Sequence, residues 1–310
     1  MDQRLPASYL ETMAALVLPF LDALARDLIR SRGGPAVDFT QPVGEAALVP
    51  ADSVSWRVFK NPVALFVGGV AAVILELAEP AVRTGVWEHS SFRTDPMRRL
   101  QRTGLAAMVT IYGAESVATA MIAGVVGMHG KVQGITPAGE TYRANDARLL
   151  TWVQATAGWG FAEAYHRYAR PLGRSELDRF YAEGAPAARL YGALDAPGSE
   201  DELQALFASM HDRLEPSPIV LEFLAIMRNA PIFSVALRPA QRLLIRAAIQ
   251  MVPGWIRERL GLAPSAGLRP WQQPLVRGMG VLADRVMLRS SPAVQSCLRL
   301  GLPADHLYRR

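Results

Sequence analysis

Hydrophobic residues recur along this chain at the three-to-four-residue interval of a helix, divided by residues that start and stop helices. Tyr9, Leu10, Met13, Leu16, Val17, Phe20, Leu21 and Leu24 form one such stripe and predict an amphipathic helix over about 8–30. A more uniformly apolar run predicts a helix over about 62–78, ending before Glu79 and Pro80. Asp95 and Pro96 pair an N-cap with proline at the first helical position, and Gly113 is placed to stop the same helix, so about 96–112 is predicted helical. The next helix is expected over about 115–133, ended by Gly134 with Pro137 beyond it. Turn chemistry fills 136–140, after which Asn145 or Asp146 caps a long helix to about 169, before Pro171. Ser175 and the pair Ser217 and Pro218 are further caps, and later helices are expected near 200–214, 218–228, 239–251, 270–287 and 292–300. Strand alternation is almost absent. The pattern predicts an all-α protein: an N-terminal amphipathic helix and loop over 1–45, then a single large helical domain over 46–310, with no repeat or linker composition to divide it.

Composition narrows the class. With 310 residues, 50% hydrophobic and 20% charged, the chain is globular, and a single cysteine, Cys297, excludes an internal disulfide or a cysteine-based metal site. The formal charge is 33 − 28 = +5, unevenly placed. From Arg238 onward there are 12 Arg, no Lys and 3 acidic residues, or +9, which leaves 21 − 25 = −4 for the 237 residues before it. That balance argues against nucleic acid as a partner and leaves open a peripheral membrane contact, or an acidic partner, at the basic C-terminal region. The longest uncharged stretches, 61–75 and 116–130, have 15 residues each, against the roughly 20 of a membrane span. With charged residues at the start and no signal-peptide pattern, the expected location is cytoplasmic.

Several chemistries are excluded by motif. The chain has no Gly-x-Ser-x-Gly nucleophile elbow, phosphate-binding loop, dinucleotide glycine fingerprint or His-Glu-x-x-His. Its five histidines, at 89, 129, 166, 211 and 306, show no metal-ligand spacing, so a multi-histidine site is not expected. A site with one histidine remains, and heme is its obvious occupant. His129 is the best candidate: it falls on an apolar helical stripe with Met121, Val125 and Val132, and Gly124, Gly127 and Gly130 beside it would let the backbone approach a flat ligand. A hydrogen-bonded core histidine, with glycines that serve helix packing, fits the same pattern. Arg99, Arg102 and Thr103 sit at i, i+3 and i+4, so two guanidiniums and a hydroxyl share a face that could pair with propionates or developing negative charge. Glu79 and Glu88 are the candidate proton-transfer groups. Trp152, Trp159, Phe161, Tyr165 and Tyr168 could line a hydrophobic pocket, although at helical spacing they suit a core equally.

These residues, in their order, resemble a family of heme oxygenases that includes bacterial rubber oxygenase (latex clearing protein) and the fungal oxygenase of mycophenolic acid synthesis. The likeness runs through Ser55 to Val58, Pro62 to Gly69, Pro80, Gly85 to Ser90, Phe92 to Pro96, Arg98 to Thr103, His129-x-x-Val132-x-Gly134 and Leu150-x-Trp152-Val153, and covers roughly 50–300. The resemblance implies a globin-reminiscent helical core around heme b, with His129 as the proximal iron ligand and Arg99, Arg102 and Thr103 near the heme. It also implies dioxygen and a hydrophobic, alkene or isoprenoid-like substrate, with oxidative C=C cleavage as the reaction. Arg102 stands where rubber-degrading members carry lysine, Gln133 where Arg is frequent, Gln154 where His is common, and Glu79 where many relatives have His. Two rivals stay open: a noncatalytic heme-binding carrier or gas sensor, and a cofactor-free helical protein that meets membranes through its basic tail.

Overall fold

In a computed structural model the described residues are 37–309, so the helix expected over 8–30 lies outside them. Thirteen α-helices build the described part, and three residues in each of two strands are its only sheet. The organising element is a helix that is apolar on every side. We label α1 Val54–Phe59 and α2 Pro62–Glu76. Eleven of the 15 residues of α2 are buried, which only a central position allows. Asn61 caps it, its Oδ1 accepting from the backbone N–H groups of Val63 and Ala64 at 3.1 Å each, while its Nδ2 donates to the Gly280 carbonyl at 2.9 Å. Helix α3 (Pro80–His89) follows at a bend of 110°.

Helices α4 (Pro96–Tyr112) and α5 (Glu115–His129) form an adjoining pair, and the long α6 (Ala147–Tyr168) packs along α2. The α2–α6 contact is backbone to backbone: a Cβ at Gly68 would lie 2.5 Å from the Gly160 carbonyl oxygen. Around this pair lie α7 (Arg174–Tyr191), α8 (Glu200–Ser209), α9 (Pro218–Asn229), α10 (Arg238–Met251), α11 (Gly254–Arg259), α12 (Gln273–Ala283) and α13 (Pro292–Arg299). Three of the buried aromatics satisfy their polar ends on backbone carbonyls, Trp56 Nε1 donating to Val49, Trp152 Nε1 to Leu75 and Tyr112 to Trp56.

The all-α expectation holds, with local corrections. Helix α5 stops at His129 rather than near 133, and the chain then forms a hairpin of β1 (Gln133–Ile135) and β2 (Thr141–Arg143), with Gly134 opposite Tyr142. Gly134 is required there, because a Cβ would sit 2.7 Å from the Tyr142 hydroxyl. Strands of three residues are too short to show as alternation. Asp146, not Asn145, caps α6; Asn145 instead donates to the Val126 carbonyl. Gly173 occupies the N-cap of α7, which places Ser175 inside the helix. Helices α8 and α12 are shorter than expected. Among the described residues no single helix is long and apolar enough to cross a membrane; α2 and α3 together meet the length and composition but are sharply bent, and α2 is core.

Candidate active site

Six helices converge on a cavity of about 400 Å³, with Ser55 and Phe59 of α1 among its lining, inside the range of roughly 300–1,000 Å³ typical of ligand and cofactor sites. Gly69 and Glu76 come from α2; Arg99, Arg102 and Thr103 from α4; Val125, Met128 and His129 from α5. Gln154 and Phe161 of α6 and Tyr181 and Tyr191 of α7 close the opposite wall. The lining is largely apolar. A smaller apolar pocket of about 120 Å³, bounded by Phe66, Met97 and Leu100, shares Gly69, Thr103, Ala107 and Phe161 with the large one.

The structure therefore brings His129, Arg99, Arg102 and Thr103 to one wall. The His129 imidazole is half-buried, and its Nδ1 is buried without a hydrogen-bond partner. Burial, and then the Arg99 charge, lower its pKa from the usual histidine value, so at neutral pH the ring is uncharged. A neutral imidazole with no partner is the form that binds a metal, and leaving it unpaired costs on the order of 1–3 kcal/mol. Helix periodicity explains the geometry: Val125, Met128 and His129 face inward, at i, i+3 and i+4.

The glycines do not share that face. A Cβ at Gly124 or Gly127 would meet nothing within 4 Å, and Gly130 is exposed, nearest to the Asn145 amide at 3.3 Å. They do not provide the close approach to a flat ligand expected of them, because positions 124 and 127 lie on the outer side of α5. Gly130 instead caps the helix.

Arg99 Nη1 donates to the Thr103 hydroxyl at 2.8 Å, and that hydroxyl donates to the Arg99 carbonyl at 2.9 Å. Thr103 thus gives its proton to the Arg99 carbonyl and holds the Arg99 guanidinium through its oxygen. Arg102 has a free hand: its guanidinium reaches the Met128 sulfur at 3.7 Å and no carboxylate. Neither arginine makes an ion pair among the described residues, so the two form a basin of positive charge on one wall; desolvation lowers the Arg99 pKa, Glu76 opposes it and Arg102 adds to it.

Glu76 was not singled out from the sequence. It sits at the last turn of α2 on the cavity wall, and burial raises its pKa from 4.5 to about 7 against the pull of Arg99. The two carboxylates expected to transfer protons are elsewhere. Glu79 is fully buried as the N-cap of α3: one oxygen accepts from the Val82 N–H at 2.8 Å, and the other pairs with Arg148 at 3.4 Å and Arg213 at 3.1 Å. Glu88 is exposed and does not line the cavity. A sequence signal for Glu76 existed: it is the lone charge in an otherwise apolar helix. Of the aromatic set, Phe161 faces the cavity, while Trp152, Trp159, Tyr165 and Tyr168 are core.

An all-helical protein whose central helices enclose an apolar cavity, with a histidine that lacks a hydrogen-bond partner and two arginines that make no ion pair among the described residues, has the architecture in which ligand sites form between packed helices. The match to a family model narrows it: residues 56–283 match the catalytic domain described as ER-bound oxygenase mpaB/B'/rubber oxygenase. The chain belongs to this oxygenase family, and is at that level an oxidoreductase. Comparison with curated proteins and with solved structures gave no match.

Proposed function

We propose that the cavity holds heme b through His129 and that the protein uses it to oxidise a hydrophobic, alkene or isoprenoid-like small molecule with dioxygen, by oxidative C=C cleavage. The observation that carries this reading is the uncharged His129 imidazole, with no hydrogen-bond partner for its Nδ1 among the described residues, in an apolar cavity beside Arg99 and Arg102, neither of which makes an ion pair within 4 Å among the described residues. The donor set fits a macrocycle better than a bare ion: among the described residues no group of three His, Cys, Asp or Glu could hold a metal, whereas a porphyrin supplies four ring nitrogens and needs one protein ligand. Its two propionates would offset the charges of Arg99 and Arg102. Bound there, heme would supply the redox chemistry of dioxygen.

The chain's own residues supply the remainder. Arg99, held by Thr103, anchors negative charge at one edge of the cavity. Arg102, with its donors unused by carboxylate, offers hydrogen bonds to charge developing on oxygen. Glu76 takes up or releases a proton at its carboxyl near neutral pH, the range in which a general base works best. The apolar walls select an apolar substrate and exclude water.

Protein expressed with added heme precursor should show a Soret band that His129→Ala abolishes. An unchanged band in that variant, or none in the parent, would overturn the reading. Heme-loaded protein should then consume dioxygen with squalene as a probe alkene; a Soret band without consumption would favour a carrier or sensor.

A further inference from the structure

The cavity leaves the basic C-terminal region unexplained. Nine arginines lie between Arg238 and Arg289, and none pairs with a carboxylate among the described residues, whereas Arg57, Arg83, Arg148, Arg167, Arg174 and Arg213 each do. On α10, which has no acidic residue, Arg238, Arg242 and Arg246 recur every four residues along the outer side. Arg246 donates to the Ser265 carbonyl at 3.1 Å, which sets this stripe beside the turn that leads to α12. At the start of α12 stand Trp271, 61% exposed, and Leu275, 48% exposed. Exposed Arg269 and Arg277 flank them, and no acidic residue lies between Glu258 and Asp284.

A tryptophan that gives up burial next to an exposed leucine is unusual on a soluble surface, and unpaired cations around it are not a solvated mixed-charge face. The combination of an amphipathic ring, an aliphatic neighbour and cations of one sign is what the headgroup boundary of an anionic bilayer binds. A nucleic-acid face would need the charges but not the exposed aliphatic side chain. We propose that Trp271 and Leu275, with Arg269, Arg277 and the α10 arginine stripe, form a docking surface for anionic phospholipid. This surface is independent of the heme reading.

The test uses the full chain in co-sedimentation with vesicles of phosphatidylcholine alone or mixed with phosphatidylglycerol. Binding is expected only with phosphatidylglycerol and should weaken as salt is raised. Arg269→Gln combined with Arg277→Gln should weaken it about 25-fold, at roughly fivefold per charge removed. Vesicles should also shift the tryptophan fluorescence to the blue in the parent and not in Trp271→Phe. A control pair on other exposed surfaces, Arg143→Gln with Arg189→Gln, should leave binding unchanged. The proposal is overturned if phosphatidylglycerol vesicles are not bound, if the control pair weakens binding equally, or if a short DNA duplex displaces the vesicles and is itself released by the Arg269/Arg277 pair. All four arginines and Trp271 are exposed, so these variants are expected to fold, which circular dichroism checks; Leu275→Ser gives a second apolar variant.

Discussion

Glu76 shares its cavity with the guanidinium of Arg99, yet the attraction does not hold its carboxyl in the usual range: burial outweighs it and places the acid near 7. The folded protein therefore binds this proton more tightly than the unfolded chain, whose glutamate titrates near 4.5. The stability contributed is complete below about 4.5 and is lost as pH rises through about 7, by at most about 3 kcal/mol. Chemical denaturation of the heme-free protein should show a midpoint that falls between about pH 5 and about pH 8. Glu76→Gln should flatten that fall, since the amide has no proton to lose.

Glu79, three residues on, has a structural part instead. It holds the first turn of α3 and two arginines rather than facing the cavity. Glu79→Ala should cost about 2 kcal/mol, less than a fully buried pair because Arg148 and Arg213 are partly solvated and can turn to Glu140. Thermal melting of both variants separates the roles. Glu79→Ala should lower the transition temperature and keep the Soret band of the heme-loaded protein, whereas Glu76→Gln should keep the melting temperature at neutral pH or raise it.

These two glutamates also show what sequence alone can and cannot place. Caps and prolines are local signals, so the bounds of α4, α9 and α10 follow from Asp95, Ser217 and Pro239. Arg99, Arg102, Thr103 and His129 were legible because helical spacing puts the arginines and threonine on one face and family likeness points to the histidine. Glu76 was not, because the fact that matters is that the end of α2 reaches a cavity lined by five other helices. The same limit reversed the reading of Gly124 and Gly127, whose composition suggested a close approach while the fold turned them outward. The hairpin between α5 and α6 left no pattern in the sequence because each strand is three residues long, too short to show alternation.

Adjacent glycines in α2 should respond differently to one added methyl group. A Cβ at Gly68 would press on the Gly160 carbonyl and on Phe161 Cα at 2.9 Å, backbone atoms that cannot swing aside. At Gly69 the nearest atom is the Phe161 ring at 3.8 Å, an ordinary contact. Gly68→Ala should therefore force α2 and α6 apart, costing about 1–3 kcal/mol. Gly69→Ala should be neutral or stabilising by up to about 1 kcal/mol, since alanine favours the helix. Differential scanning fluorimetry on the two variants measures the contrast; equal shifts would show that the helices are not in backbone contact.

Phe161 is the largest side chain shared by two neighbouring volumes, which also share Gly69, Thr103 and Ala107. Its ring lines both the 400 Å³ cavity and the 120 Å³ apolar pocket, and packs against Phe59 at 4.7 Å between centroids. Apolar pockets bind apolar groups because no polar partner holds water in them. An apolar tail longer than the main cavity can house must displace this ring, so Phe161 should set the length of chain the protein accepts. Calorimetry with straight-chain alcohols of increasing length should show affinity that levels off at a certain length in the parent and continues to rise in Phe161→Ala, by about 0.8 kcal/mol for each further methylene taken in. Phe161→Trp should move the plateau to shorter chains. The variant loses contacts with Phe59 and should be less stable by about 2 kcal/mol, but reduced stability alone would lower affinity for every alcohol equally and leave the plateau in place.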